Sequence, residues 1–179
     1  MTIGNSRVKV RRNKKSLKTE IDVNLVVKLF GITFYSYTLK NRELWEEGQL
    51  INLSSEAQEN KKTERLVVQK MANELHIKGS KFKGKISENA ATTSYFTSDF
   101  LLRKLWINTH NGKPLNVDFE ASGKETISTY TGERIAEKWV NSGDLDYAAE
   151  KTLHYSGRDG YVFAERMKRG FPRARITND

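Results

Sequence analysis

Between Leu17 and Leu29 the chain reads LKTEIDVNLVVKL, and its two parities separate by polarity. Leu17, Ile21, Val23, Leu25, Val27 and Leu29 share one side with Thr19. Lys18, Glu20, Asp22, Asn24 and Lys28 share the other, with Val26 as the single apolar intruder. A period of two marks a strand with one dry face and one wet face. At ~3.3 Å per residue the run would extend roughly 40 Å, well past the usual strand of about five or six residues. It predicts a long, curved antiparallel sheet.

Gly31 then interrupts the pattern, as a bulge or a tight turn, since both use its tolerance of positive φ. Beyond it Thr33, Tyr35, Tyr37 and Leu39 fall on one parity, with Ile32 and Phe34 on the other. Leu50 to Ala57 and Thr63 to Met71 read as a hairpin with its turn at Glu59 to Lys62. Leu75 to Lys78 and Phe82 to Ile86 read as a second, shorter one around Gly79 and Ser80. Ser94 to Trp106 resists a strand reading. There Ser98 or Asp99 would cap a helix running two turns from Phe100.

Asn111-Gly112 is the strongest hairpin signal, followed by alternating Leu115, Val117 and Phe119. Turns at Ser122-Gly123, Thr131-Gly132, Ser142-Gly143 and Asp159-Gly160 recur at the spacing of an all-β meander. Between them the predicted strands are Thr126 to Tyr130, Arg134 to Val140, Thr152 to Tyr155 and Tyr161 to Met167. The prolines, Pro114 and Pro172, fall at a strand edge and in the tail.

The expectation is therefore an all-β fold: a single antiparallel meander of about ten strands with one short helix or plug near residues 98–106. An apolar face of that extent must curl or stack to hide, as a barrel or a two-sheet sandwich. The long first strand favours a closed or half-closed barrel, whose interior is filled by side chains or holds one small ligand. At 179 residues one domain, 1–179, suffices. Basic, flexible ends are expected at 1–7 and 170–179.

Thirty-one Lys and Arg against 22 Asp and Glu leave a formal charge of +9, which favours anionic partners. The absence of cysteine excludes disulfides, iron–sulfur clusters, thiol catalysis and thiolate zinc sites. No apolar run approaches the ~20 residues of a transmembrane helix, and MTIGNSRVKVRRNKK lacks a signal-peptide core. As written the chain reads as cytoplasmic, or as periplasmic or exported if a leader has been removed.

His76, His110 and His154 have no partner at ligand spacing and read as ordinary histidines. No serine elbow, phosphate loop or HExxH pattern occurs, and Gly157 to Gly160 reads as a hairpin turn. No metal and no cofactor is expected. Glu43, Glu46 and Glu47 surround Trp45 in RELWEEGQL, where a pair of carboxylates in a cleft would serve acid and base chemistry. Neighbouring residues of a strand alternate faces, so no pair there converges. Lys81, Lys83 and Lys85 put three ammonium groups along one strand. They are either phosphate contacts for nucleic acid or the protection of an exposed sheet edge.

Several landmarks together resemble a known family. They are Ile3-Gly4, Tyr35-x-Tyr37, Glu43-x-Trp45-x-x-Gly48-x-Leu50, Ser94-Tyr95, and Ile107-Asn108 followed by Asn111-Gly112. Their order up to Gly160 resembles a family of uncharacterised bacterial proteins, a domain of unknown function whose members are small, all-β and often exported. Members usually carry a leader, an additional strand before the Ile-Gly, and a Trp-Tyr-Asp-like stretch where this chain has Leu153-His154-Tyr155. The resemblance implies the fold and brings no activity and no catalytic residue. Its likeness to envelope proteins that carry lipids in half-closed barrels is architectural.

The function expected from these readings is noncatalytic: a carrier holding an apolar or amphiphilic, lipid-like molecule in a barrel cavity lined by Tyr35, Tyr37, Trp45, Trp106 and Trp139. A basic exterior would suit anionic surfaces. The alternative is a nucleic-acid or polyanion binder using Lys81, Lys83 and Lys85. A second alternative is an enzyme of unknown substrate that depends on the Glu43 carboxylate.

Overall fold

The computed structural model describes residues 4–95, 99–129, 132–143, 152–156 and 161–164. They form fourteen strands and one 3-10 turn. The chain divides into two compact units, one built from residues up to 90 together with 107–114, the other from 91–106 and 115–171.

The first unit is a seven-stranded sheet in chain order. Its strands are β1 (Gly4–Arg12), β2 (Ser16–Leu29), β3 (Ile32–Glu46), β4 (Gln49–Glu59), β5 (Lys62–Met71), β6 (Glu74–Gly79) and β7 (Lys83–Ser87). Each pairs antiparallel with its neighbours. The parity expected in β2 holds. Leu17 and Thr19 are buried, Ile21, Val23, Leu25 and Val27 are half-buried on the same face, and Leu29 is exposed at the tip. The two-residue turns Phe30-Gly31 and Glu47-Gly48 have positive φ at both positions (49° and 81°, 49° and 80°), the twist that type I′ hairpins require.

Gly31 is thus a turn, and the bulge lies three residues after it, on β3. The register slips between Val27 and Lys28, so Val27 faces Tyr35 while Lys28 faces Thr33 and Leu29 faces Ile32. The extra residue is Phe34, and it moves Ile32 rather than Thr33 onto the face of Leu29. Residues 4–7 of the basic end expected to be flexible belong to β1, which runs on to Arg12.

Polar residues on the other face are sorted by sign across the strands. Arg7 faces Asp22, Asp22 faces Lys40, Lys40 faces Glu56 and Glu56 faces Arg65. Arg42 bonds Asp22 at 3.0 Å and Arg65 bonds Glu56 at 2.8 Å. Opposite charges directly across an antiparallel pair stabilise one register over a slipped one.

The sheet is open: β1 and β7 end it and do not pair with each other. Of the two barrels expected, the closed one is therefore not formed among the described residues. A five-residue β7 cannot cover the edge that a nine-residue β1 presents. The loop 108–113 packs on the buried face of this sheet. A Cβ on Gly112 would stand 2.8 Å from Leu66 Cδ1, and one on Gly79 would stand 2.5 Å from the Asn111 carbonyl oxygen. Only glycine allows so close an approach.

The second unit holds a three-stranded sheet of β8 (Ala91–Thr92), β9 (Leu105–Ile107) and β10 (Pro114–Asn116), and a four-stranded one. The latter comprises β11 (Phe119–Thr129), β12 (Gly132–Asn141), β13 (Thr152–Ser156) and β14 (Tyr161–Ala164). The plug is a single 3-10 turn, Phe100–Leu102, shorter than the two-turn helix expected, and the Asp99 side chain makes no capping bond. Asp99 instead accepts from Arg103. Ser122-Gly123 is a bulge within β11, where the register shifts between Ala121 and Lys124 and Gly123 has φ 108°. The fold is all-β, as the alternation predicts, but its strands are divided among three sheets rather than strung in one meander of about ten. Ser98, Thr131, Gly157 to Gly160 and the basic end 170–179 lie outside the described residues.

Candidate functional site

The segment Asn41-Arg42-Glu43-Leu44-Trp45 runs through β3 with alternate residues on one face, so Asn41, Glu43 and Trp45 all enter the buried side of the sheet. Asn41 Nδ2 donates to Glu43 Oε1 at 2.8 Å, and Trp45 Nε1 donates to Glu43 Oε2 at 2.8 Å. Each carboxylate oxygen of Glu43 therefore accepts one buried N–H. Leu50, wholly buried, faces Trp45 across the Glu47-Gly48 turn. The Glu-x-Trp-x-x-Gly-x-Leu spacing thus has a physical reading. It places a carboxylate beneath an indole, turns the chain, and covers the indole with a leucine.

Two more polar residues join this row from neighbouring strands. Thr19 lies opposite Glu43 in β2, and Ser55 lies opposite Asn41 in β4. Thr19, Asn41, Glu43 and Ser55 are 1%, 0%, 4% and 7% exposed. Thr19 Oγ1, Asn41 Oδ1 and Ser55 Oγ have no hydrogen-bond partner within the protein. A buried polar atom left unpaired costs about 1–3 kcal/mol, and most such atoms in proteins are paired. The three lie on adjacent positions of one sheet face. Away from them, Ile21, Val23, Leu25, Leu39, Tyr35 and Tyr37 make a half-buried, mainly apolar strip toward the tip of the β2–β3 hairpin.

Glu64, 4% exposed, belongs to the same sheet. The Lys62 ammonium, 2.6 Å away, holds its carboxyl below the usual value against the opposing effect of burial, with help from Ser80. Glu64 in turn raises the pKa of Lys62.

Of the residues expected to line a cavity, Tyr35, Tyr37 and Trp45 lie in β3 of the first unit. Tyr37 stacks on His110 at 5.9 Å with its hydroxyl 3.3 Å from Nδ1, so that histidine secures the 108–113 loop. Trp106 and Trp139 belong to the second unit. Trp106 is fully buried among Phe100, Phe119 and Tyr95, at 5.6, 5.1 and 5.4 Å, and its indole donates to the Phe100 and Arg103 carbonyls. Trp139 packs against the same cluster. The five aromatics are therefore divided three and two between the units.

Lys83 and Lys85 lie on β7, the last strand of its sheet, and Lys81 in the turn before it donates its backbone N–H to the Asn111 carbonyl. Lys85 pairs with Glu74 at 3.1 Å. Glu46 is exposed, and Glu47 pairs with Lys15 at 3.4 Å in the turn.

Asn41 and Ser55 were not singled out by reasoning on the sequence, although polar residues on a dry parity, as at Thr19, are a signal available there. Grooves on the first unit are lined by both polar and apolar groups. One of about 460 Å³ passes Arg7, Asp22 and Lys40, and another of about 590 Å³ passes Lys15, Glu46 and Lys70. Among the described residues no group of three potential ligands is placed to hold a metal, and no helix is long and apolar enough to cross a membrane.

An open antiparallel sheet with a polar row at the centre of its buried face defines an all-β protein with an internally amphiphilic surface. The chain belongs to the family described as a domain of unknown function, DUF6134, which matches residues 1–171. No curated protein matches it. A DUF1089 family protein from Pseudomonas aeruginosa, known from a crystal structure, is similar over 88% of this chain and 87% of that chain. The TM-score is 0.47 and the identity 15%.

Proposed function

We propose that the protein is a noncatalytic binder or carrier of an amphiphilic, lipid-like molecule, held against the buried face of the seven-stranded sheet. The polar end of the ligand meets Thr19, Asn41 and Ser55, and its apolar part follows Ile21, Val23, Leu25, Tyr35 and Tyr37. The observation that carries this reading is the group of three unpaired oxygens on neighbouring strands, set at the end of an apolar strip. A ligand hydroxyl or amide would satisfy these atoms, whereas a pure hydrocarbon would leave them unpaired. Glu43 positions Asn41 and Trp45 from below and has no role in turnover.

Native mass spectrometry of the full chain incubated with palmitate or lysophosphatidylglycerol tests it. A one-to-one adduct is expected, with affinity reduced about tenfold in the Asn41→Leu, Ser55→Ala variant, the equivalent of one lost hydrogen-bonded contact. No adduct with either probe, or adducts indifferent to the double substitution, would reject the proposal. Binding of single-stranded nucleic acid in place of these probes, lost on changing Lys81, Lys83 and Lys85 to alanine, would favour the polyanion reading instead.

A further inference from the structure

The most exposed apolar side chains of the first unit gather at one place, the end of the β2–β3 hairpin. Leu29, Phe30, Ile32 and Phe34 are 59%, 95%, 73% and 77% exposed. Phe30 occupies the first turn position with φ 49°, a conformation that phenylalanine adopts at a cost, although an asparagine there would suit the turn better. Phe34 is the bulged residue, which turns it out of the regular alternation. Neither aromatic has a structural reason to be apolar.

The hairpin also projects. The β4–β5 turn is tied to β3 at Ser36, where Asn60 N–H donates to the Ser36 carbonyl at 2.8 Å and Ser36 N–H donates to Asn60 Oδ1 at 2.9 Å. On the other side the described part of β1 ends at Gly4, opposite Leu25. Among the described residues the ribbon runs on from there for some four residues per strand, roughly 15 Å.

We infer that this hairpin tip is a membrane-docking element that inserts Phe30 and its apolar neighbours into the interface of a bilayer carrying anionic lipid. Charge supports that occupant. Exposed Lys28 stands next to Leu29, and no carboxylate lies between Val23 and Lys40. Exposed Lys61 stands in the turn bonded beside Ser36, where Lys62 is already paired with Glu64 at 2.6 Å. An apolar point flanked by the Lys28 and Lys61 ammonium groups fits acyl chains beneath anionic head groups. Insertion stays shallow, because the outer edges of a two-stranded ribbon keep unpaired backbone groups that hydrocarbon cannot satisfy. A second copy of the chain fits less well. Four side chains offer roughly 600 Å², below the ~800 Å² per partner of a stable interface.

Vesicle sedimentation of the full chain provides the test, using phosphatidylcholine with and without about one third phosphatidylglycerol. Binding is expected to the anionic vesicles, weakened by salt, and reduced at least about tenfold in a Phe30→Ser, Phe34→Ser variant whose circular dichroism matches the parent. A Phe30→Trp variant should show blue-shifted emission and quenching by brominated acyl chains on vesicle addition. The inference is overturned if the parent does not sediment with anionic vesicles at low salt. It is equally overturned if the serine variant binds as well as the parent, or if the tip mediates a concentration-dependent dimer in place of vesicle binding. Because the substituted residues are remote from Asn41 and Ser55, vesicle binding and formation of the palmitate adduct can fail separately.

Discussion

Trp45 is held by hydrogen bonding as well as by burial, and the two contributions can be separated. Trp45→Phe keeps most of the apolar area and removes the indole donor from Glu43, leaving a buried carboxylate oxygen one partner short. Urea unfolding should register a loss of about 1–3 kcal/mol. Glu43→Gln should cost less. The Asn41 amide can reverse and present its unpaired oxygen to the new glutamine N–H, while the glutamine oxygen still accepts from Trp45. An E43Q variant less stable than W45F would refute this arrangement.

Glu64 supplies the pH dependence at the same scale. Its carboxyl is held below the ordinary 4.5 chiefly by its hydrogen bond from Lys62, so its contribution is present above 4.5 and is lost as pH falls through the lowered value. Lys62, raised above 10.5 by the same partner, contributes below 10.5 and loses that contribution as pH rises through the raised value. Denaturation midpoints of Glu64→Gln and the parent should therefore converge in acid.

Among the elements, the turn at Glu59 to Lys62 is legible in the sequence, Gly31 stays open there between a bulge and a turn, and the Glu47-Gly48 turn goes unread. Glycine and asparagine at Asn60, Gly48 and Gly31 mark places where the backbone needs positive φ, and that need is local. Ser122-Gly123 carries the same signal and is a bulge instead, since both structures use the same glycine conformation and only the partner strand distinguishes them. The Asn111-Gly112 loop adds a tertiary demand. Gly112 has φ 84°, and a Cβ there would stand 2.8 Å from Leu66 Cδ1 and 3.1 Å from Gly79 Cα. Gly112→Ala should destabilise by more than the ~1–2 kcal/mol of the left-handed conformation alone. Gly31→Ala, where no atom lies within 4 Å, should show only that conformational part. Thermal melts of the two variants measure the difference.

At the scale of the whole molecule, an open sheet must protect its ends. β7 does so with Lys83 and Lys85 on an edge strand, a placement that opposes pairing with another chain. Replacing both by valine should increase light scattering at high protein concentration. The Lys85–Glu74 pair is half-exposed on both sides and contributes little to stability by itself.

The sequence by itself determined the all-β class, most strands of the large sheet and the dry face of β2, because alternation and turn chemistry act over a few residues and need no distant partner. The family resemblance marked Glu43, Trp45, Gly48 and Leu50 as a unit, and all four lie within one hairpin. Tertiary structure alone decided that Thr19, Asn41 and Ser55 meet across three strands, that Trp106 fills a separate core, and that the sheet stays open. Each of these depends on register and on where strands end, which are set by pairings between residues far apart in the chain.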